Sequence, residues 1–287
     1  MKNIGLIVNN KKDAEFKYFK LAAKLLHDSG FTPVVSYEYR SVLPEKEYIK
    51  TNLEEMFKMS HIVITLGGDG TLLNIADLAV RYDVAILGVN LGTLGYLAQL
   101  DKSEIEKIPD VINNITTYQK RMMLTVSVYR NNSKVYEFSA LNDAVVTRSA
   151  VLKPIYVDLI GDNGVIADYF CDGLIFSTPT GSSAYSLSVG GPIMDPSMEA
   201  ILVSAISPHS LSSHSLVFNA EKALECRVRA PKNINTLISV DGRHVFYIQN
   251  NDRIVIKKNS KSLKLVQITE SDFYTVLKRK FSSRGSK

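Results

Sequence analysis

The sequence predicts an α/β domain followed by a β-rich domain, with a C-terminal helix that returns to the first domain. Within the first hundred residues, strand-like apolar runs alternate with helical patterns, an order typical of a doubly wound parallel sheet. Beyond about residue 120 the pattern changes to short alternating segments separated by turns, which indicates β structure. The closing segment, ESDFYTVLKRKF, again has helical spacing. We therefore place the first domain at residues 1–100 together with 267–287, and the second at residues 101–266.

In the N-terminal half, residues 13–29 show the clearest helical pattern. Phe16, Phe19, Ala23 and Leu26 recur at spacings of three and four, and Gly30 follows as a stop signal. The run HIVITL lacks polar alternation, as expected for a parallel strand covered on both faces. Further predicted strands are residues 4–8, 32–37 and 84–90, and further predicted helices are residues 53–59 and 72–81.

The C-terminal half contains a strong hairpin signal. In IYVDLIGDNGVIADYF, two strand-like runs flank Asp162-Asn163-Gly164, which favours a tight turn. Other strand-like segments in this half are LTVSVYR, KVYEFSALNDAVVTR, GLIF, ALECRVRA, TLISVDG and RIVIKK.

Composition excludes several classes of protein. The chain has 287 residues, 45% of them hydrophobic and 22% charged, which is ordinary for a globular protein. No apolar run reaches the roughly 18 residues that span a bilayer, and the N-terminus MKNIGLIVNN lacks a cleavage site for secretion. Cys171 and Cys226 are too few for a disulfide framework, so we expect a reduced, cytoplasmic protein.

The net charge of +5 comes from the C-terminal tail and does not indicate a nucleic-acid surface. The last ten residues hold five basic residues and no acid, so the rest of the chain is near neutral. A second basic cluster, Lys257, Lys258, Lys261 and Lys264, surrounds a predicted turn without interleaved aromatic residues. Solvated lysines explain both features, and we expect no nucleic-acid or membrane partner.

The segment VITLGGDGTLLN places a glycine turn at the end of a buried strand. In an open α/β sheet, ligands bind beyond the carboxyl ends of the strands. Gly67, Gly68 and Gly70 let the backbone approach a ligand, and the N–H groups that follow, from Thr71 onward, suit phosphate. The segment lacks the lysine of a Walker loop and the spacing of a dinucleotide fingerprint, so neither mechanism applies.

Asp69 is a carboxylate between glycines, with no side chain next to it in sequence as a partner. Beside phosphates it would repel them unless it holds Mg²⁺ or accepts a proton from an attacking hydroxyl. The alternative is an ordinary Gly-Asp-Gly turn. The buried strand before it and the additional glycines favour the functional interpretation.

Residues 172–192, DGLIFSTPTGSSAYSLSVGGP, form a hydroxyl-rich loop after another predicted strand. The loop carries Ser177, Thr178, Thr180, Ser182 and Ser183 within seven residues. We interpret these hydroxyls, with a helix start near residues 184–189 capped by one of the last two serines, as a cradle for ribose and phosphate. An ordinary loop with a cap would explain one or two of them. A Gly-x-Ser-x-Gly elbow is absent, which argues against a serine hydrolase.

Other polar and aromatic residues are less decisive. Asn142 and Asp143 interrupt an apolar run, where they either form a turn or line a site that binds adenine or ribose. Tyr96 either packs normally or stacks on a base. The five histidines show no grouping typical of metal ligands: His27, His61, His209, His214 and His244.

Four segments in this order, GGDGT, ND, DGLIFSTPTGSSAY and GGP, resemble those of the NAD kinases. The resemblance covers roughly residues 3–280. GGDGT alone is weak, since diacylglycerol and sphingosine kinases and phosphofructokinases carry similar turns. The resemblance implies transfer of a phosphoryl group from ATP or polyphosphate, with Mg²⁺, to the 2′-hydroxyl of the adenosine ribose of NAD. It also implies a dimer or tetramer.

The resemblance also implies residue roles. Asp69 would be the general base, and Asp172 would lie near the nicotinamide end or the second nucleotide. The remaining residues would bind NAD or its phosphates: Gly70, Asn74, Gly92, Tyr96, Asn142, Asp143, Lys153, Ser183, Ala184, Tyr185 and Ser188, with Ser207 and Arg243 at positions where contacts vary.

Two departures from the family pattern are visible. Ser183 stands where threonine is usual, and Phe170 stands where some members have arginine. Rival interpretations are a lipid or sugar kinase with the same glycine turn, and a non-catalytic sensor that binds NAD(P).

Overall fold

The computed structural model of the chain describes residues 2–39, 41–43, 47–92, 95–149, 153–210, 213–268 and 273–284. The chain is divided into two units. The first comprises Met1–Lys120 and Leu263–Lys287, and the second comprises Arg121–Ser262.

The strands of the described residues are numbered in chain order. They are β1 (Asn3–Val8), β2 (Thr32–Ser36), β3 (Ile49–Thr51), β4 (Ile62–Gly67), β5 (Ala85–Asn90), β6 (Leu100–Asp101), β7 (Tyr118–Arg121), β8 (Leu124–Arg130), β9 (Ser133–Ala140), β10 (Asp143–Arg148), β11 (Ile155–Gly161), β12 (Gly164–Cys171), β13 (Gly173–Ser177), β14 (Ala200–Ile206), β15 (Leu216–Asn219), β16 (Leu224–Arg229), β17 (Thr236–Val240), β18 (His244–Ile248), β19 (Arg253–Lys258) and β20 (Leu263–Val266).

The α-helices of the described residues are numbered in the same way. They are α1 (Lys17–Asp28), α2 (Leu53–Met59), α3 (Asp69–Leu73), α4 (Ala76–Arg81), α5 (Ile108–Asn113), α6 (Tyr185–Ser188) and α7 (Phe273–Arg284). Short 3-10 helices occur at Tyr37–Tyr39, Lys102–Lys107 and Gly181–Ser183.

The first unit is built on an eight-stranded sheet with the order β3-β2-β1-β4-β5-β20-β7, in which β6 also pairs with β5. Parallel pairing joins β1 to β2 and β4, β2 to β3, and β5 to β4, β6 and β20. Every residue of β4 and β5 is buried, as the lack of polar alternation in both segments requires. The predicted α/β domain is confirmed.

Helix α1 packs its apolar side on this sheet. Phe19, Ala23 and Leu26 are buried, as their spacing predicts. The helix begins at Lys17, four residues later than predicted, because the Asp13 carboxylate accepts the backbone N–H groups of Tyr18 and Phe19. These bonds satisfy amides that a helix start leaves without partners.

The single helix predicted over residues 72–81 is interrupted in the structure. Two short helices, α3 and α4, occupy this region, and α3 begins at Asp69 itself. The break falls at Ile75, whose dihedral angles (φ −121°, ψ −1°) lie outside the helical range. Ile75 is almost fully buried, so packing of this side chain prevails over continuous helical hydrogen bonding.

The first unit extends beyond the predicted limits at both junctions. Residues after position 100 form a 3-10 helix and α5, which bury Ile105, Ile108 and Ile112 in the same cluster as Phe19 and Leu26 of α1. At the other junction β20 joins the first sheet, so this unit resumes at residue 263 rather than 267.

Helix α7 belongs to the first unit, as predicted for the C-terminal segment. Val276 is buried, and the ring of Phe273 lies 5.8 Å from the ring of Tyr96. The first residues of the predicted helix, 270–272, lie outside the described part of the chain.

The second unit contains two six-stranded antiparallel sheets. Their orders are β15-β14-β13-β10-β17-β18 and β12-β11-β16-β19-β8-β9. Residues from both sheets, among them Val157 and Leu159 of β11 and Leu174 and Phe176 of β13, form a single apolar cluster. The predicted hairpin is present as β11 and β12, with Gly161 paired to Gly164 across the turn. The β-rich second domain is confirmed.

Two further findings concern partners and cysteines. None of the helices in the described ranges has the length and apolar character needed to cross a membrane. Cys171 and Cys226 are both free and buried.

Phe19 provides a test of the first unit's core. Its side chain is fully buried and its ring lies 4.9 Å from that of Tyr39. We expect Phe19→Ala to lower the free energy of unfolding by roughly 3–5 kcal/mol because it leaves a cavity. Lys24→Ala, an exposed position on the same helix, should change it by less than about 0.5 kcal/mol. Urea unfolding measures both, and similar costs for the two variants would contradict this assignment of the core.

Candidate active site

The glycine turn joins β4 to α3 in the first unit. A β-carbon built on Gly67 would lie 2.2 Å from the Thr71 hydroxyl oxygen, so only glycine fits there. That hydroxyl also accepts the N–H of Gly68 and the side-chain amide of Asn9, both at 3.4 Å. Thr71 is buried and shapes the turn, whereas Gly70 is exposed with open space around it.

Asp69 is half-buried, and its carboxylate is held by the backbone of the loop that follows β5. Oδ2 accepts the N–H of Tyr96 at 2.8 Å, and Oδ1 accepts the N–H of Leu97 at 3.1 Å. A β-carbon on Gly95 would lie 2.0 Å from Oδ1, so glycine is required there as well. The sequence shows no partner for Asp69, because its partners are backbone groups 27 and 28 residues away.

Lys12 lies beside the same turn, and sequence reasoning missed it. Its ammonium nitrogen lies 2.6 Å from a β-carbon built on Gly68 and 3.0 Å from one built on Gly92. Two glycines from different turns therefore leave room for one cation. Among the described residues, no carboxylate lies within ion-pair distance of the Lys12 ammonium. A lysine four residues after the first strand gave no local signal of this position.

Tyr96 and Asn74 occupy different surroundings. The ring of Tyr96 is half-buried, contacts Phe273 and lies 3.7 Å below the ammonium of Lys280, measured to the ring centroid. Asn74 is exposed at the end of α3. In this structure Tyr96 is thus a packed aromatic residue.

In the second unit, Asn142 lies in a bend, Asp143 is the first residue of β10, and Asp241 fixes this segment. The Asp241 carboxylate accepts three backbone N–H groups, from Leu141 at 2.9 Å, Asn142 at 2.8 Å and Asp143 at 3.1 Å. Asp241 is nearly fully buried. It was absent from the predicted site because it lies about 100 residues away in sequence.

Two buried carboxyl groups therefore lie close together. Burial, and then the nearby charge of Asp241, raise the pKa of Asp143 to about 7. Burial also raises the pKa of Asp241, while the three N–H groups and Arg243 act against this rise. Because these donors stabilise its charged form, Asp241 is the anion of the pair and Asp143 holds a proton near neutral pH.

The predicted hydroxyl cradle is largely wrong. The hydroxyl of Ser177 donates to the Asn142 carbonyl at 3.2 Å and that of Thr178 to the Leu141 carbonyl at 2.6 Å. The Ser182 hydroxyl donates to Pro179 and accepts from Met194. All three side chains are buried, so these hydroxyls fix the loop and do not face a ligand.

The other two hydroxyl residues of the predicted cradle, Thr180 and Ser183, have different surroundings. Thr180 has a buried hydroxyl oxygen without a partner among the described residues. Ser183 is half-buried, with its hydroxyl 3.4 Å from the Thr180 carbonyl. The predicted serine cap is wrong: α6 spans four residues, follows a 3-10 turn and has no side-chain cap.

A cavity of about 400 Å³ in the second unit collects some of the predicted residues. Its lining includes Asn142, Asp143, Thr147, Ala184, Tyr185 and Asp241. The other predicted residues of this unit lie elsewhere. Lys153, Ser188 and Ser207 are exposed, and the Arg243 guanidinium lies 4.0 Å from the Asp241 carboxylate.

Asp172 is already paired. Arg148 binds both of its carboxylate oxygens, at 2.8 and 2.9 Å. This contact lowers the pKa of Asp172. Nearby Phe170, where the resemblance gives arginine in some members, packs against the rings of Tyr156 and His209.

In the part of the chain that the structure describes, no group of three or more His, Cys, Asp or Glu side chains could hold a metal ion.

Comparison with known proteins identifies both units. The family model "ATP-NAD kinase N-terminal domain" matches residues 4–118, and "ATP-NAD kinase C-terminal domain" matches residues 141–268. NAD kinase of Caldanaerobacter subterraneus subsp. tengcongensis is 36% identical over 286 residues, covering 99% of this chain and 100% of that protein. NAD kinase of Acetivibrio thermocellus is 34% identical over 286 residues, covering 99% of each.

Solved structures share the fold. Yeast NADH kinase complexed with NADH superimposes with a TM-score of 0.87 at 23% identity, covering 98% of this chain and 88% of that one. An NAD kinase from Archaeoglobus fulgidus in complex with ATP gives a TM-score of 0.75 at 22% identity, with coverage of 98% and 99%.

The Asp143 carboxyl predicts a pH dependence of stability. Its pKa is about 7 in the folded chain and 3.8 as the unperturbed value. The folded state therefore binds more protons between these values, and the free energy of unfolding should fall as pH rises from about 4 to 7. The slope from this group is at most about 1.4 kcal/mol per pH unit.

Unfolding curves of wild type and Asp143→Asn across this pH range measure the effect. The variant should lose this part of the slope, whereas Asp162→Asn, at an exposed ion pair with Lys222 in the same unit, should keep it. Equal slopes for wild type and Asp143→Asn would contradict the raised pKa.

Proposed function

This chain belongs to the NAD kinase family and is a kinase that phosphorylates NAD, and we propose that Asp69 is its general base. The acceptor is the 2′-hydroxyl of the adenosine ribose, and the donor is ATP, with polyphosphate as the alternative donor. The observation that carries this proposal is the Asp69 carboxylate, fixed by two backbone N–H groups beside an exposed glycine.

The arrangement around Asp69 suits a proton acceptor. Each carboxylate oxygen accepts one backbone N–H, which leaves further lone pairs on both oxygens. No side-chain cation pairs with this carboxylate among the described residues, so its acceptor capacity is not used by an ion pair. Fixed orientation reduces the reorganisation needed when a hydroxyl approaches.

Lys12 is proposed to bind the donor's phosphates. Its ammonium lies in the space that Gly68 and Gly92 leave open, and the backbone there can approach a ligand closely. An ammonium is a suitable point charge for phosphate oxygens. The residue therefore supplies the positive charge that the Walker lysine would supply elsewhere.

In the second unit, the 400 Å³ cavity is proposed to bind part of NAD. Asn142 offers an amide, and Asp143, protonated near neutral pH, can donate as well as accept a hydrogen bond. Tyr185 is 44% exposed at this cavity, so its ring is available for stacking. Asp241 is proposed to hold the Asn142-Asp143 segment in its binding conformation.

The other residues named by the resemblance stay predictions: Gly70, Asn74, Tyr96, Lys153, Asp172, Ser183, Ala184, Ser188, Ser207 and Arg243. Asp172 would contact the substrate either while paired with Arg148 or after its ion pair with Arg148 breaks.

The reaction forms a bond from the acceptor oxygen to the γ-phosphorus and breaks the bond from that phosphorus to its bridging oxygen. The electron pair of the broken bond leaves with ADP, and the hydroxyl proton passes to Asp69. Mg²⁺, when bound, would neutralise charge on the donor phosphates. With no cluster of metal-binding side chains in the described ranges, a cation that arrives bound to ATP fits these residues.

Compartment and assembly are also proposals. The buried free thiols of Cys171 and Cys226 suit a reduced cytoplasm. Within the basic cluster, Lys258 pairs with Glu199 and Glu221, which supports a solvated surface and no nucleic-acid partner. A dimer or tetramer is expected from the resemblance.

Asp69→Asn tests the base assignment. Purified protein with NAD, ATP and Mg²⁺ should form NADP, measured with an NADP-specific dehydrogenase. The variant should keep NAD binding by calorimetry and lose turnover by about 10²–10⁴-fold. Asp77→Asn, whose carboxylate pairs with Arg81 on α4, is the matched control and should keep wild-type turnover.

Because an asparagine amide would place a donor against one of the two N–H groups, the melting temperature of each variant is measured alongside. A folded Asp69→Asn variant with near wild-type turnover would refute the base role. Absence of NADP formation by wild type would refute the proposed activity.

Lys12→Ala tests the phosphate contact. Removing a charge-assisted contact should lower kcat/KM for ATP by about 10–100-fold, with little change in KM for NAD. Lys12→Arg should restore part of the loss. Lys11→Ala, at the exposed neighbouring lysine, is the control and should behave like wild type. Equal effects at Lys11 and Lys12 would indicate general electrostatics and not a contact.

A further inference from the structure

The loop after β5 contacts both Asp69 and helix α7. On one side, the N–H groups of Tyr96 and Leu97 bind the Asp69 carboxylate. On the other side, the Tyr96 ring contacts α7. Tyr96 therefore contacts the carboxylate through its backbone N–H and the C-terminal helix through its ring.

Helix α7 contacts Tyr96 at two points. The Phe273 ring lies 5.8 Å from the Tyr96 ring, and the Lys280 ammonium lies 3.7 Å from its centroid. Phe273, Val276 and Lys280 recur at helical spacing, so they lie on one side of α7. Phe273 and Lys280 are half-buried and Val276 is buried, whereas Lys278 is exposed. The basic C-terminal segment therefore contains one lysine that covers a ring and one that points to solvent.

The geometry at Asp69 is sensitive to the position of this loop. Gly95 leaves no space for a β-carbon beside Oδ1 of Asp69, so the loop backbone lies directly against the carboxylate. The ring contacts with α7 restrict where the backbone of Tyr96 can lie, and a displacement of that backbone would move its N–H away from Asp69. The carboxylate would then lose one or both of the donors that orient it.

We propose that α7 is a positioning element for Asp69, with Phe273 and Lys280 as positioning residues that act through Tyr96. This inference rests on the proposed role of Asp69 as general base. Phe273 supports one side of the Tyr96 ring, and Lys280 covers the ring with a cation–π contact. The ring holds the loop, and the loop holds the carboxylate. One basic residue of α7, Lys280, thus has an internal function, whereas Lys278 is exposed to solvent.

The test compares two lysines two positions apart. Lys280→Met keeps an unbranched side chain and removes the cation, and Lys280→Arg restores a cation over the ring. Lys278→Met makes the same chemical change at the exposed position. Phe273→Ala removes the second contact. Two quantities are measured for each variant: hydrogen exchange of the Tyr96 and Leu97 amides, and kcat and KM for NAD and ATP.

We expect Lys280→Met and Phe273→Ala to raise amide exchange at Tyr96 and Leu97 by at least about 10-fold and to lower kcat by about 10-fold, because small displacements of reacting groups are costly. KM for both substrates should change less than about twofold, since the interaction lost is one that orients the base. Lys280→Arg should return both quantities towards wild type, and Lys278→Met should leave them unchanged.

Three outcomes would overturn the proposal. The first is unchanged exchange in Lys280→Met and Phe273→Ala. The second is faster exchange with unchanged kcat. The third is a raised KM for NAD at unchanged kcat, which would place the Tyr96 ring on the substrate. Faster exchange in these variants, together with near wild-type turnover of Asp69→Asn, would support the link between α7 and the loop and refute the base role, so the two failures are distinguishable.

Discussion

Two hydrogen bonds between neighbouring turns of the parallel sheet are the interaction on which the proposed chemistry of the first unit depends. The turn after β4 supplies the Asp69 carboxylate, and the loop after β5 supplies the N–H groups of Tyr96 and Leu97. Both turns leave the same edge of the sheet because β4 and β5 pair in parallel. The donors are backbone groups, so a carboxylate is oriented there without any cationic side chain that would compete with a substrate for it.

In the second unit, backbone N–H groups also hold a carboxylate, but there the carboxylate has a structural role. Asp241 also accepts backbone N–H groups with its two oxygens, but it is buried, lies 4.0 Å from the Arg243 guanidinium and fixes the start of β10. Burial, and then the nearby charge of Asp241, raise the pKa of the neighbouring Asp143 to about 7. A pair of carboxyl groups thereby acquires two roles, one as a structural anion and the other as a polar group on the cavity wall.

Local sequence patterns were sufficient where the cause of a structure is local. Helix α2 and strands β8 and β19 have the predicted bounds, since periodicity and turn residues determine them. The break at Ile75 was not predicted, because the apolar periodicity of residues 72–81 continues through this buried position. For the site, the glycine turn and the Asn142-Asp143 segment were predicted from their composition. Lys12 and Asp241 were not, since their partners lie far along the chain, and most of the hydroxyl loop proved to be internal support.

The position of β20 has a consequence for the order of events during synthesis. β20 pairs with β5 in the first sheet, yet about 170 residues, including the whole second unit, separate the two strands in sequence. The second unit is thus an insertion within the first. At roughly 5–20 residues per second, a ribosome needs on the order of 10–30 s after β5 emerges before β20 can join it. During that interval β6 can pair with the end of β5, but the part of the β5 edge at Ile86 that β20 later covers is unpaired. Such an edge is the kind of surface that other nascent chains can pair with.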